Sequence, residues 1–104
     1  MMNFKIFNNN NTNFRKNCIY INRNGNNTNA YNSNEQSDCN FTDLIEIEIL
    51  DTDKIYPGFL YYLILWKKDI VDQYRVGTTV NHITIPNLKK ALKEIMKGKS
   101  TLEL

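Results

Sequence analysis

The residues that could do chemistry in this chain of 104 residues are few and scattered. His82 is the single histidine, so a histidine-dependent triad or metal site would depend on it alone. Glu46 and Glu48 could act as paired carboxylates, but their alternation with isoleucine is more typical of the solvated face of a strand. Cys18 and Cys39 lack the close spacing of zinc ligands and are interpreted as reduced thiols. The sequence therefore predicts a protein that is not an enzyme and uses no metal or cofactor.

A second set of side chains is suited to contacts with DNA. Arg23, Asn24, Asn26 and Asn27 surround Gly25 in a segment with strong turn chemistry. Arginine can bind guanine and asparagine can bind adenine through two hydrogen bonds each. The alternative is that these are ordinary turn residues, because the chain holds 17 asparagines and its composition is typical of a low-GC genome.

Two further groups could contact DNA phosphates. Thr78 and Thr79 follow Gly77, and their hydroxyl groups could donate to the DNA backbone, which positions a protein without reading sequence. Lys89 and Lys93 belong to a lysine-rich stripe near the C-terminus. Each group also has a structural interpretation: the threonines follow a helix stop, and the lysines form a solvated helix face that stabilises the helix dipole.

Length and charge exclude several classes of protein. The chain suits one small domain, and 13 basic against 11 acidic side chains indicate no particular partner. Its start lacks the apolar stretch of a secretory signal, and the longest apolar run, 55–66, is shorter than the roughly 20 residues that cross a bilayer. We therefore expect a cytoplasmic domain with no membrane partner.

The elements that must position these side chains are short strands followed by helices. Strands are predicted at 18–21, 28–31 and 43–50, the first two as a hairpin-like pair. Helices are predicted at 57–66, 69–76 and 86–97. The sequence thus predicts an α+β fold, a small mixed domain over 17–98, with an unstructured Asn-rich leader over 1–16 and a short tail over 99–104.

Three details of these elements are open to direct comparison with a structure. The strand at 43–50 is predicted to have one face in the core and one face in water. The helix at 57–66 is apolar on every side, which predicts burial all round. Gly77 is predicted to be the residue with positive φ that closes the helix at 69–76.

The order of these elements resembles the target recognition domain of type I restriction enzyme specificity subunits. That family shows a strand ending in a basic-x-Gly loop, an aromatic-x-Asp step into a strand, a helix with a Phe-Leu-Tyr-Tyr core, and a Gly-Ser/Thr-Thr turn after a second helix. The matching segments here are Arg23-Asn24-Gly25, Phe41-Thr42-Asp43, Phe59-Leu60-Tyr61-Tyr62 and Gly77-Thr78-Thr79. The resemblance covers about 18–92 and is to a partial domain, because the long spacer helix and the first half of the family's domain have no counterpart.

The resemblance implies a non-catalytic module of a type I restriction-modification system that recognises a half-site in double-stranded DNA. Catalysis then belongs to partner methyltransferase and endonuclease subunits, and the partners expected are a methyltransferase subunit or a second specificity half-subunit. One departure affects the loop itself, where Asn27 and Thr28 stand in place of the family's second glycine. The alternative is a protein interaction module that uses Tyr61, Tyr62 and Trp66, or a decayed remnant that no longer binds DNA.

Overall fold

The computed structural model describes residues 4–9, 14–32, 43–77 and 80–102, the last five of these by their backbone only. Four strands form one antiparallel sheet in the order β1-β4-β2-β3. The strands are β1 (Phe4–Asn8), β2 (Cys18–Asn22), β3 (Ala30–Asn32) and β4 (Leu44–Ile49). The helices are α1 (Pro57–Trp66), α2 (Lys68–Gln73) and α3 (Ile85–Leu102). The predicted α+β fold and the predicted pairing of β2 with β3 are confirmed.

The main core lies between one face of the sheet and the helices. Alternation along β2 and β4 points their isoleucines to this face, where α1 packs over β2 and β3 and α3 packs over β1. Leu88, Ala91, Leu92 and Ile95 are spaced along one side of α3 and are buried in this core, and the helix continues past its predicted end to Leu102. The strand residues in this core are Phe4, Ile6, Ile19, Ile21, Ala30, Ile45, Ile47 and Ile49.

Strand β1 lies in the segment that was predicted to be an unstructured leader, and that prediction is wrong for Phe4–Asn8. Phe4 and Ile6 are buried in the core, and the backbone pairs with β4 over the whole length of the strand. Apolar burial and the ladder of hydrogen bonds together offset the entropy of ordering these residues. The asparagine run that follows had obscured this short apolar pattern.

Helix α1 begins and ends at the predicted residues, but the prediction that it is buried all round is wrong. Leu60, Leu63 and Ile64 are buried, whereas the opposite side of the helix is exposed. The helices form a single layer on one face of the sheet, so nothing in the described part of the chain covers the outer side of α1. The exposed side chains are Tyr56, Phe59, Tyr62 and Trp66.

Gly77 has the predicted positive φ, at 138°, but it does not close a helix. Helix α2 ends at Gln73, four residues earlier, so the prediction of a glycine at the helix terminus is wrong. Val76 and His82 instead exchange two backbone hydrogen bonds of 2.8 Å, and Gly77 directly follows Val76. The positive φ of Gly77 therefore belongs to the chain reversal between Val76 and His82 and not to a helix end.

The second face of the sheet carries a small aromatic and polar cluster, so the predicted solvated face of β4 is wrong at Glu46. Glu46 is fully buried, and its carboxylate accepts hydrogen bonds from Arg15 Nε at 2.7 Å and from the Tyr20 hydroxyl at 3.2 Å. Phe14 stacks on Tyr20 with ring centroids 4.5 Å apart. The segment before β2 therefore folds back over this face and supplies a cation for the buried carboxylate.

Cys18 lies in the same cluster, and its thiol should make the stability of the fold pH-dependent. Burial, together with a hydrogen bond to Glu46, raises the pKa of Cys18 from 9.0 to about 12. The thiol therefore stays protonated in the folded state while it ionises in the unfolded state. Its contribution to stability is complete below pH 9 and is lost as the pH rises toward 12.

We expect the Cys18→Ala variant to lose less stability than the parent when the pH is raised. Between about pH 8 and about pH 11 the difference in the free energy of unfolding should change by about 2 kcal/mol in favour of the variant. Urea denaturation of both proteins at the two pH values measures it. Equal losses in the two proteins would contradict the buried, protonated thiol.

Candidate nucleic-acid interface

The four loop residues predicted to contact DNA lie at one end of the sheet, in the β2–β3 loop, residues 23–29. The Arg23 N–H donates to the Asp43 carbonyl oxygen at 2.8 Å, at the start of β4. On the other side, the Ile83 N–H donates to the Arg23 carbonyl oxygen at 2.9 Å, and the Gly25 N–H donates to the Asn81 carbonyl oxygen at 2.7 Å. The loop is thus held between β4 and the segment that leads into α3.

The buried side chain of Arg75 holds the backbone of this loop in place. This side chain is 1% exposed. Nη1 donates to the carbonyl oxygens of Arg23 at 2.9 Å and Gly25 at 3.3 Å, and Nη2 donates to the carbonyl oxygen of Asn22 at 2.9 Å. The planar guanidinium can reach several acceptors at once in a fixed geometry, which suits it to organise a loop whose carbonyl groups turn inward.

Asp72 and Thr28 complete the surroundings of that buried cation. Arg75 Nε lies 3.6 Å from Asp72 Oδ1, and both Nε and Nη2 donate to the Thr28 hydroxyl oxygen. The Thr28 hydroxyl in turn donates to Asp72. Burial lowers the pKa of Arg75 and the Asp72 carboxylate opposes that effect, so the guanidinium keeps its charge.

Asn22 gives the loop its second internal support. Its Nδ2 donates to the carbonyl oxygens of Asn24 at 2.8 Å and Asn27 at 2.9 Å, and its Oδ1 accepts from the Asn29 N–H at 2.8 Å. Gly25, with φ at 115°, makes the turn between them. The side-chain amide of Asn22 therefore pairs with loop backbone groups as another backbone segment would, and these hydrogen bonds keep the loop closed.

The structure brings Arg23, Asn24, Asn26 and Asn27 together on this fixed loop. The three asparagines are exposed and Arg23 is half-buried. Arg23 Nη2 donates to Asn8 Oδ1 at 2.8 Å, and the Asn81 side-chain amide donates to Asn26 Oδ1. These are hydrogen bonds at the protein surface that a ligand with matching donors and acceptors can replace.

The other predicted contacts lie elsewhere in the chain. Lys89 and Lys93 are exposed on α3, on the side of the helix that faces away from the core. Thr78 and Thr79 fall outside the described residues. The structure therefore brings the four loop residues together on one surface and places the two lysines on a different element.

An open cleft of about 370 Å³ adjoins the loop. Asn8, Ile45 and the loop residue Arg23 line one side, and residues 82–86, which lead into and begin α3, line the other. Among mostly apolar neighbours, the lining thus includes an arginine, a histidine and an asparagine, residue types whose side chains can hydrogen-bond to a phosphate oxygen. The single histidine, His82, therefore lies next to the candidate surface, and its backbone is hydrogen-bonded to that of Val76.

Sequence reasoning missed Arg75 and Asn22, the two side chains that organise the loop. The only local signal was the spacing of Asp72 and Arg75, three residues apart, which favours an ion pair on one side of a helix. Nothing local indicates that the guanidinium is buried or that it reaches residues about fifty positions earlier in the chain.

Comparison with protein-family models, with curated proteins and with solved structures finds no significant match for this chain. Within residues 4–9, 14–32, 43–77 and 80–102, no group of three or more histidine, cysteine, aspartate or glutamate side chains could hold a metal ion. In the same part of the chain no helix is both long and apolar enough to span a bilayer.

Proposed function

We propose that this domain is a non-catalytic module that binds double-stranded DNA through the β2–β3 loop and reads a half-site. The observation that carries the proposal is the buried Arg75, which anchors the loop backbone so that the side chains of Arg23 and the asparagines project from a fixed frame. A preordered loop loses little conformational entropy on binding, which is what a recognition surface needs.

The chemistry of base reading on this surface is direct. Arg23 would exchange its hydrogen bond with Asn8 for two bonds to guanine O6 and N7. Asn24, Asn26 or Asn27 would bind adenine N6 and N7 through a side-chain amide. Each such pair discriminates against a wrong base by about 1–3 kcal/mol.

Phosphate contacts would position the loop on the duplex. His82 at the cleft is suited to this role, and Lys89, Lys93, Thr78 and Thr79 are proposed as further contacts. The proposal places the domain in the cytoplasm as part of a type I restriction-modification system. Methyl transfer and cleavage belong there to partner subunits, and a methyltransferase subunit or a second specificity half-subunit would complete the assembly.

Duplex binding by the isolated chain is expected to be weak and strongly salt-dependent, with a Kd on the order of 10⁻⁴–10⁻⁶ M at physiological salt. Arg23→Ala should weaken it by about tenfold at low salt, because the variant loses a cation from the surface that faces the duplex. Fluorescence anisotropy with a labelled random duplex, titrated with salt, measures both effects.

Lys54→Ala is the matched control, because it removes the same charge from an exposed position beyond the other end of β4. It should change duplex affinity by less than about twofold. Equal losses for the two variants would show that only net charge matters. Salt-insensitive binding, or none at the lowest salt, would contradict the proposed function.

A second candidate function, a protein interaction module, is favoured by a separate observation. Tyr62 and Trp66 are 69% and 72% exposed on the outer side of α1, whereas Tyr61, also predicted as an anchor, packs partly against the core. Large exposed aromatic side chains are typical of protein interfaces.

A further inference from the structure

The outer side of α1 carries a row of exposed aromatic rings. Phe59, Tyr62 and Trp66 follow one another at intervals of three and four residues, so they lie along one side of the helix, and the exposed Tyr56 is the residue immediately before the helix. The exposed fractions of Tyr56, Phe59, Tyr62 and Trp66 are 71%, 40%, 69% and 72%. We call these four residues the aromatic stripe.

The size of the aromatic stripe fits an interface between two proteins of this size. A buried aromatic side chain removes about 150–250 Å² from water, so four partly exposed ones offer roughly 500 Å² on each copy. Two such surfaces packed together bury on the order of 1,000 Å², which is about the minimum for a weak, transient interface. A single self-complementary contact along the helix would therefore suffice for a weak dimer.

The charges at the two ends of α1 indicate what kind of molecule packs on the aromatic stripe. Asp51 and Asp53 precede the helix and, with Lys54, leave an excess of acidic charge at that end. Lys67 and Lys68 follow the helix and, with Asp69, leave an excess of basic charge at the other end. A second copy packed in the antiparallel direction places each acidic end against the basic end of its partner. A nucleic acid would instead meet acidic side chains at one end of the stripe.

We propose that the aromatic stripe is a self-association interface, in which two copies of the chain pack α1 against α1 in antiparallel orientation about a twofold axis. Tyr62 is at the centre of this contact, because it lies midway between the ends of the stripe. Trp66 of each copy then lies beside the Phe59 and Tyr56 end of its partner. The proposal does not depend on DNA binding, since the stripe and the β2–β3 loop share no residue.

Trp66 makes the test direct, because it is the only tryptophan in the chain. Raising the concentration of the full chain should shift its fluorescence emission to shorter wavelength as the ring leaves water, in step with a monomer-to-dimer transition in sedimentation velocity. Tyr62→Asp, which retains the tryptophan, should weaken dimerisation by roughly 30-fold or more, as for a central aromatic anchor.

Leu50→Asp is the control for general loss of exposed apolar surface, because Leu50 is 57% exposed and lies outside the stripe. It should not weaken dimerisation, because the added negative charge lies beside Asp51 at the acidic end of α1. Both substitutions are at exposed positions, and equal thermal unfolding by circular dichroism would show that both variants fold. A chain that stays monomeric at millimolar concentration would overturn the proposal, as would equal weakening by Tyr62→Asp and Leu50→Asp.

A charge exchange tests the orientation of the two helices. Asp53→Lys and Lys68→Asp should each weaken the homodimer, because each puts like charges opposite one another twice in an antiparallel pair. A mixture of the two variants restores both opposite-charge contacts, so the heterodimer should form several-fold more tightly than either homodimer at low salt. No preference for the heterodimer would overturn the antiparallel arrangement.

The same variants separate this proposal from the proposed function. Loss of dimerisation in Tyr62→Asp with unchanged duplex affinity supports the self-association interface. Loss of DNA or RNA affinity in Tyr62→Asp, in a parent chain that is monomeric, would assign the stripe to nucleic acid and overturn it. Failure of the chain to bind duplex DNA would contradict the proposed function alone, because dimerisation through the stripe is measured without DNA.

Discussion

Replacing Arg75 with alanine is expected to lower the free energy of unfolding by about 3 kcal/mol or more. The substitution removes the donors for the carbonyl oxygens of Asn22, Arg23 and Gly25 and leaves Asp72 without its buried cation. Breaking a buried ion pair by removing one partner costs about 3–5 kcal/mol, because the remaining groups stay desolvated and unpaired. For a domain of this size the melting temperature should fall by roughly 15 °C.

Two further variants show whether the loss of stability comes from the several hydrogen bonds that the planar guanidinium group makes at once. Arg75→Lys keeps the charge but cannot reach several carbonyl groups at once, so it should recover less than half of the lost stability. Arg23→Ala removes an arginine at the surface of the same loop and should change the melting temperature by only a few degrees. Thermal and urea unfolding of the three variants measure these effects. An Arg75→Ala protein as stable as the parent would contradict the role assigned to the buried arginine.

The same substitution also separates stability from function. Arg75→Ala should weaken duplex binding at temperatures well below its melting transition. Without the hydrogen bonds from Arg75, the β2–β3 loop should become mobile at temperatures at which the sheet is still folded. Amide hydrogen exchange in residues 23–29 should accelerate while exchange in β2 and β4 stays slow. Unchanged loop exchange would mean that Asn22 and the segment at 81–83 suffice to hold the loop.

Replacing Gly77 with valine is the second substitution with a large expected effect, about 3 kcal/mol of lost stability. Gly77 has φ at 138°, which β-branched residues rarely adopt, and a side chain there would collide with the backbone carbonyl of Val80. The loop closed by Val76 and His82 would have to open, which also moves Asn81 away from Gly25 in the β2–β3 loop. Thermal unfolding and salt-titrated duplex binding should therefore both be impaired.

Gly58→Ala is the matched control for this prediction. The three atoms nearest to a Cβ at position 58 all belong to the ring of Tyr56, which can rotate away, and alanine is a better helix former than glycine in α1. The change should alter the free energy of unfolding by less than about 1 kcal/mol in either direction. A Gly77→Val protein as stable as the Gly58→Ala protein would contradict the strained backbone at Gly77.

The position of several elements follows from the sequence alone, because their signals are local. Pro57 and the lysines after Trp66 delimit α1, the alternation of isoleucine and glutamate predicts β4, and the spacing of leucine and isoleucine predicts the buried side of α3. Each signal needs only a few neighbouring residues, since side-chain periodicity and turn chemistry act over one or two turns of the chain. The four residues of the candidate loop were found in the same way, from the turn around Gly25.

What only the tertiary structure decided depends on contacts between distant segments. Phe4–Asn8 becomes a strand because β4 lies beside it, and Glu46 is buried because Arg15, 31 residues earlier, folds over it. Arg75 reaches Asn22 across 53 positions, so no local pattern reveals that it organises the loop. The exposure of one side of α1 also depends on the tertiary structure. An apolar helix is buried on all sides only where the fold supplies a second surface for it to pack against.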